Sequence, residues 1–445
     1  MHLLRRHFYL LLAPLVLNLS SAGAEPVALE LTLDECIAMG LDRSIPVANA
    51  RRDVEIARMQ IRTVRARVHP QLDITADYTR LDDTPSLPDE FAGLPDIGQR
   101  DTYGATLDAD QVLYAGGAIL AALRIARHFE AAAERELERV ESDLIRRITR
   151  GFYEILYREA AYEVAEQSVQ QLADFEEQVG RKYRAETAPE FEWLSAQVAL
   201  ANEQPVLLAA RNAHTLARRA FRDLIHLDHD DFGLDGDLAI QPTILDLAHL
   251  QEQAVRRRPE ILQAREQREV AHNQRRVTVG EYLPEIRAFA SYGGADPSQR
   301  NPFGEGWEWE WLAGVRLTWS VFDGGRRRAQ LTAADLEIDQ IHDELYDLER
   351  ATRLEVERLW LALEEARTTL RGTADNIDLA ERALSIAMVR YEQGLATHLD
   401  VTDSNLALNN ARLNHSRALL DYQQTLADLR HVTGLRALPD TEQQP

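Results

Sequence analysis

Two clusters in this sequence carry side chains that could hold a metal ion or a phosphate. The first gathers His226, Asp228, His229, Asp230, Asp231, Asp235 and Asp237. Within it, Asp231-Phe232-Gly233-Leu234-Asp235-Gly236 partly mimics a calcium-binding EF-hand loop. The twelfth position of such a loop supplies a bidentate glutamate, and here it is Pro242. A solvated acidic connector is the better reading, with no metal and no cofactor. The second cluster, Gly324-Gly325-Arg326-Arg327-Arg328, lacks the spacing and the final Lys-Ser/Thr of a phosphate-binding loop. It reads as a strand-to-helix turn, whose arginines could alternatively meet lipid headgroups. Neither a nucleophile elbow nor an HExxH motif is present, so nothing here points to an enzyme. A third group is simpler: Asp400 and Asp403 lie one helical turn apart and share a face. Alone, Asp400 could simply favour the start of a helix through the macrodipole.

The elements that must position these groups begin with Trp307–Gly325. Trp307, Trp309, Trp311, Ala313, Val315, Leu317, Trp319 and Val321 alternate with Glu308, Glu310, Arg316, Thr318 and Ser320, the pattern of a strand with one apolar and one polar face. Tryptophans at both ends of the apolar row suit a strand that crosses a bilayer between aromatic girdles. From Trp311 to Trp319 the strand would span roughly 26 Å, about a tilted crossing. An edge strand of a soluble sandwich is the alternative, and it would need a second sheet to cover the tryptophans. Beyond the glycines the period changes to seven: Leu331, Ala334, Ile338, Ile341, Leu345, Leu348, Leu359, Ala362 and Ala366 form a coiled-coil seam that lapses at Thr352 and Glu355.

The chain is a duplication. An offset of 208 residues superposes Tyr114-Ala115-Gly116-Gly117 on Phe322-Asp323-Gly324-Gly325, and Arg181-Lys182-Tyr183 on Val389-Arg390-Tyr391. Upstream the offset becomes 214, pairing His69-Pro70-Gln71-Leu72 with Leu283-Pro284-Glu285-Ile286. Each half reads helix, strand, loop, strand, long helix, turn, helix. In the first half these are helices Leu33–Gly40 (capped by Thr32) and Val47–Val68, strands Gln71–Asp82 and Tyr103–Leu113, and a long helix over Ala118–Val179. A return helix over Pro189–Leu227 contains Pro205, where a kink is expected. The second half repeats the order with strand Glu285–Tyr292, loop Gly293–Gly306 and return helix Leu399–Val432. The expected organisation is a leader over 1–24, a first repeat over 25–230, a connector over 231–245, a second repeat over 246–434 and a polar tail over 435–445.

Composition narrows the class. The leader has a basic start with Arg5 and Arg6, an apolar stretch Phe8–Leu19 and a small-residue site at Ala22-Gly23-Ala24, which reads as a secretory signal. Without it, 48 basic residues face 73 acidic ones, a net −25, which argues against nucleic-acid binding. No apolar run of eighteen residues remains for a spanning helix. Cys36 is the only cysteine, so no intrachain disulfide can form. Four strands cannot close a barrel, and open edges are not tolerated in lipid. Closure takes at least about eight strands, so two, three or four copies would have to share one wall.

The opening LTLDECIAMGLDRSIPV, the duplicated strand-strand-helix order and the segment RYEQGLATHLDVTDSNLAL resemble the TolC family of outer-membrane efflux proteins. The resemblance covers about Leu31 to Leu435. It implies a mainly α fold with membrane β structure: a homotrimer whose coiled-coil-like α-helical barrel continues a β-barrel shared between three protomers, four strands each. It also implies passive exit of substrates across periplasm and outer membrane, with a periplasmic membrane-fusion adaptor and an inner-membrane transporter at the far end and outer-membrane lipid around the strands. By the same resemblance Tyr391, Asp400, Asp403 and Glu192 would narrow the tunnel, and Gly394, Leu395 and Thr397 would form the adaptor-docking tip. Trp307, Trp309, Trp311 and Trp319 would form the membrane girdle. The sequence departs from the family pattern at Ala396, where an arginine is common, and at Glu186-Thr187-Ala188-Pro189, which replaces the glycine turn of the first repeat. A different class of function, a periplasmic coiled-coil adaptor or structural protein, would need a lipoyl-type sandwich that the sequence lacks.

Overall fold

The computed structural model describes residues 29–82, 100–229, 231–238, 245–296, 298 and 306–435. The leader, most of the first strand-connecting loop, Asp230, Pro242 and the polar tail from Arg436 lie outside them.

The first half contains β1 (Leu29–Leu31), α1 (Leu33–Arg43), α2 (Ile45–Ala66), β2 (Gln71–Arg80), β3 (Asp101–Ala115), α3 (Ala118–Arg184) and α4 (Glu190–Ile225). The second contains β4 (Phe232–Leu234), α5 (Leu247–Arg257), α6 (Pro259–Gly280), β5 (Glu285–Asp296), β6 (Glu308–Thr318), α7 (Arg326–Glu392) and α8 (His398–Thr433). Both long helices have 67 residues, so each extends about 100 Å at 1.5 Å per residue.

Local signals explain the helix starts. Thr32 and Glu35 form a capping box in which the Glu35 carboxylate accepts from the Thr32 N–H and hydroxyl, both at 2.9 Å. Ser44 caps α2, and Pro46 sits inside its first turn instead of preceding the helix. Gly117 and Gly325 launch the long helices from the left-handed region, φ 82° and 90°, with open space where a Cβ would stand. Glycine is needed there for the backbone angle and not for room.

The strands form one antiparallel sheet in the order β2-β3-β5-β6. Register places Ile74, Leu107, Tyr292 and Trp311 in one row across it, and Leu72, Ala109, Ala290 and Ala313 in the next. This face is bare: Ile74 is 82% exposed and Trp311 75%. The opposite face carries Asp73, Asp108 and Ser291 in one row and Thr75, Thr106, Gly293 and Glu310 in another. Several boundaries differ from expectation, two of them in the second half of the sheet. The segment read as a loop from Gly293 continues as β5 to Asp296, since Gly293 pairs with Thr106 and Glu310 and Gly294 with Ala105 and Trp309. The Trp-rich strand is shorter than its alternation: pairing covers Glu308–Thr318, which leaves Trp307 and Trp319 just beyond its ends.

Below the sheet the helices follow the same lateral order, α2-α3-α6-α7; farther down it becomes α4-α3-α8-α7. Two cores lie midway. One packs Ile148, Phe152 and Ile155 of α3 with Phe221 and Ile225 of α4; the other packs Val356, Leu363 and Leu370 of α7 with Tyr422 and Leu429 of α8. The stretch read as a solvated connector contributes to the first. Its β4 pairs in parallel with β1, and Phe232 is only 2% exposed, with the Arg218 guanidinium 4.4 Å from its ring centroid and donating to its carbonyl. The lapse in the α7 seam also has a cause. Arg258, at the α5–α6 junction, donates to Thr352 Oγ1 (3.2 Å) and Glu355 Oε2 (2.7 Å), so a polar plug occupies the seam there.

Candidate functional site at the helical tips

The two α-hairpins end in turns that are the same device. In the second, Gly394 lies at φ 73°, its N–H donates to Tyr391 O (3.1 Å), and the Leu395 N–H reaches back to Arg390 O (2.8 Å). These are the paired bonds of a Schellman motif. In the first, Glu186 takes the glycine's place at φ 58°, with Glu186 N–H to Tyr183 O (2.9 Å) and Thr187 N–H to Lys182 O (2.9 Å). The substitution that seemed to replace the turn keeps its geometry, with a non-glycine residue held in the left-handed region.

Tyr391 and Glu192 are brought together. The Tyr391 hydroxyl donates to Glu192 Oε2 at 3.2 Å, joining α7 to α4. The ring is buried, packs against Phe175 at 5.2 Å between centroids, and has the Lys182 ammonium 4.2 Å from its centroid. Burial, and then the Glu192 charge, push the Tyr391 hydroxyl up to about 12, so it remains a donor across the physiological range.

Asp400 is engaged locally. Its carboxylate accepts from the Thr397 N–H (2.7 Å) and hydroxyl (2.8 Å), and Thr397 Oγ1 accepts from the Asp400 N–H (3.3 Å). Those two hydrogen bonds from Thr397 hold the carboxyl below its ordinary range. Thr397 is therefore the N-cap of α8 and Asp400 its N3 partner. Asp403, one turn on, is exposed, as is Leu395 at 64%. Ala396 is half-buried and packs against the cluster of Phe175, Val179, Tyr391 and Val401.

Several contacts lacked a pattern in the sequence. Trp193 Nε1 donates to Glu176 (2.6 Å) and its ring stacks on Tyr183 at 5.1 Å, clasping α3 to α4. Higher up, Ser168, Asn405 and Asn409 form a buried polar layer between α3 and α8, with Asn409 Nδ2 to Ser168 Oγ at 2.7 Å. The heptad-like spacing of Asn405 and Asn409 was the available signal, but nothing in it named Ser168 as partner. At the other end, Trp307 and Trp309 stack at 5.8 Å and Tyr292 stacks on Trp309 at 5.3 Å, while Trp319, past the far end of β6, donates from Nε1 to Tyr282 O (3.1 Å). Trp307, Trp309, Trp311 and Trp319 are all exposed. Among the described residues no group of three or more His, Cys, Asp and Glu side chains could hold a metal, and no helix is long and apolar enough to cross a membrane.

This fold, one antiparallel sheet continued by helices of 67 residues, is shared with solved outer-membrane channels. The outer membrane protein VceC from Vibrio cholerae superposes with a TM-score of 0.75 at 21% identity, over 90% of this chain and 96% of that one. MtrE from Neisseria gonorrhoeae, in its open state, gives 0.75 at 20% identity, over 92% and 90%. CmeC from Campylobacter jejuni gives 0.78 at 15% identity, over 90% and 85%. The profile of the outer membrane efflux protein family matches residues 37–225 and 250–435, and the chain belongs to that family. Among curated relatives, CyaE of Bordetella pertussis is 32% identical over 121 residues, and the alkaline protease secretion protein AprF of Pseudomonas aeruginosa is 24% identical over 189. These alignments span 26% and 39% of the relatives' own lengths, and 27% and 42% of this chain.

Proposed function

We propose that three copies of this chain form one outer-membrane channel-tunnel through which substrates leave passively in efflux or type I secretion. The observation that carries the reading is the sheet. Four strands with a bare apolar face leave β2 and β6 as unpaired edges, and lipid does not tolerate such edges. Three copies would bring the strand count to twelve, within the range of closed membrane barrels. The 67-residue helices would carry the wall on through the periplasm. Similarity to an alkaline protease secretion protein supports secretion, and the efflux family supports export of smaller molecules.

In this assembly the tips at Tyr391, Glu192, Asp400 and Asp403 would narrow the far end, and acidic side chains repeated around an axis would favour cations. Gly394, Leu395 and Thr397 would meet a periplasmic adaptor, with an inner-membrane transporter beyond it. The test is the detergent-solubilised full chain. It should sediment at three times the mass of one copy and conduct ions in planar bilayers with cation preference. A monomer that stays in the aqueous phase and conducts nothing would overturn the proposal.

A further inference from the structure

We infer that Lys182 is a positioning residue that holds the tip closed by clamping the Tyr391 ring from the neighbouring hairpin. The inference rests on the channel reading above. One aromatic ring of α7 is held by three groups from the other hairpin: Phe175 and Lys182 of α3, and Glu192 of α4. Phe175 packs on the ring and Glu192 fixes its hydroxyl. The Lys182 ammonium stands 4.2 Å from the ring centroid, close enough for a strong cation–π contact.

The turn places it there. The Lys182 carbonyl accepts both the Thr187 N–H and the Thr187 hydroxyl at 2.9 Å, which fixes the backbone from which the side chain departs. Glu186 holds a left-handed conformation to make that closure possible. A half-buried site strengthens the attraction, because the ammonium is partly removed from water. Lys182 is also the only lysine in a chain whose other basic residues, histidines aside, are all arginine. An ammonium is a compact point charge on a flexible stem, suited to sit on a ring face and to leave it without breaking a bidentate geometry. Separation of the hairpins must undo this contact together with the Tyr391–Glu192 hydrogen bond.

The experiment compares planar-bilayer conductance of the wild-type trimer with Lys182→Met, Lys182→Arg, Tyr391→Leu and Lys182→Met/Tyr391→Leu. Loss of the cation should raise the open-to-closed ratio roughly twofold to thirtyfold per hairpin pair. Lys182→Arg should stay near wild type, and the double variant should add little to Tyr391→Leu alone. The single lysine gives a second readout: amine-reactive labelling of Lys182 should accelerate in Tyr391→Leu, where the ring that covers it is gone. If Tyr391→Leu opens the channel and Lys182→Met does not, the clamp is wrong and the channel stands. If Lys182→Arg opens it as far as Lys182→Met, the lysine acts by shape and not by charge, which also overturns the clamp. If no variant or wild type conducts at all, the channel reading itself fails.

Discussion

Replacing Gly394 by alanine asks whether the second tip turn depends on its left-handed residue. The residue sits at φ 73°, and nothing lies within 4 Å of where its Cβ would stand. Crowding is therefore absent, and the whole cost is backbone strain, partly offset by the entropy that alanine removes from the open state. The net should be about 1 kcal/mol. Every 1.4 kcal/mol is tenfold in an equilibrium, so local opening of the turn should become about fivefold more frequent. The amide to watch is Leu395 N–H, which is bonded to Arg390 O and is exposed to exchange only when the turn opens. Glu186→Gly should do the reverse in the first repeat, because it relieves a non-glycine residue at φ 58°. Exchange at the Thr187 amide should slow by about twofold to fivefold. Unchanged exchange at Leu395 in Gly394→Ala, or faster exchange at Thr187 in Glu186→Gly, would refute the equivalence of the two turns.

Asp400 has a local and a proposed collective role, and two substitutions separate them. Asp400→Asn keeps an acceptor for Thr397, so α8 should start normally while cation preference in bilayers falls; Asp400→Ala should lose both, seen as faster exchange at the first turn of α8. Its carboxyl is depressed, so the contribution to the cap is present above the ordinary aspartate range and fades only as pH drops through the lowered value; circular dichroism of tip peptides or exchange at the first α8 amides should show no change between neutral pH and that range. Tyr391 has the opposite sign. Its raised hydroxyl, about 12, leaves the contact with Glu192 intact up to the ordinary tyrosine value and loosens it as pH rises from there toward about 12, so alkaline conductance should increase in wild type and much less in Tyr391→Phe. Arg258→Met should destabilise the middle of the wall by about 2 kcal/mol, less than a fully buried pair because Glu355 remains 37% exposed, and thermal melting of the solubilised protein measures it.

What the sequence made legible was what repeats or alternates. The strands, the long helices and the Thr32 cap follow from periodicities of two and seven and from local capping chemistry, each contained within a few residues. The parallel pairing of Leu29–Leu31 with Phe232–Leu234 was hidden because three residues are too few to show a period, and the acids around Phe232 mask its buried ring. The lapse at Thr352 and Glu355 was visible, but its partner, Arg258, lies 94 residues away and has no pattern of its own. At the tips the family resemblance singled out Tyr391 and Glu192, and no pattern indicated that Glu186 would hold a glycine conformation or that Lys182 would lie against the Tyr391 ring. Those depend on side chains meeting across two hairpins, which no spacing along one of them encodes.

The lateral order of the elements links the sheet to the wall. Strands run β2-β3-β5-β6 and the helices beneath them α2-α3-α6-α7, so each strand stands over one helix. Lower down α4 replaces α2 at one margin and α7 stays at the other. The margins carry apolar side chains that the described residues leave more than half exposed: Ile56 on α2, Leu216 on α4, and Leu336, Leu354 and Leu379 on α7. A neighbour that pairs its β6 with the free edge of β2 would bring its α7 against α2 and α4 by the same displacement. Backbone hydrogen bonds in the barrel and apolar burial along the tunnel would then be satisfied together by one rotation, which is why the proposed assembly needs a ring of identical copies and no added subunit.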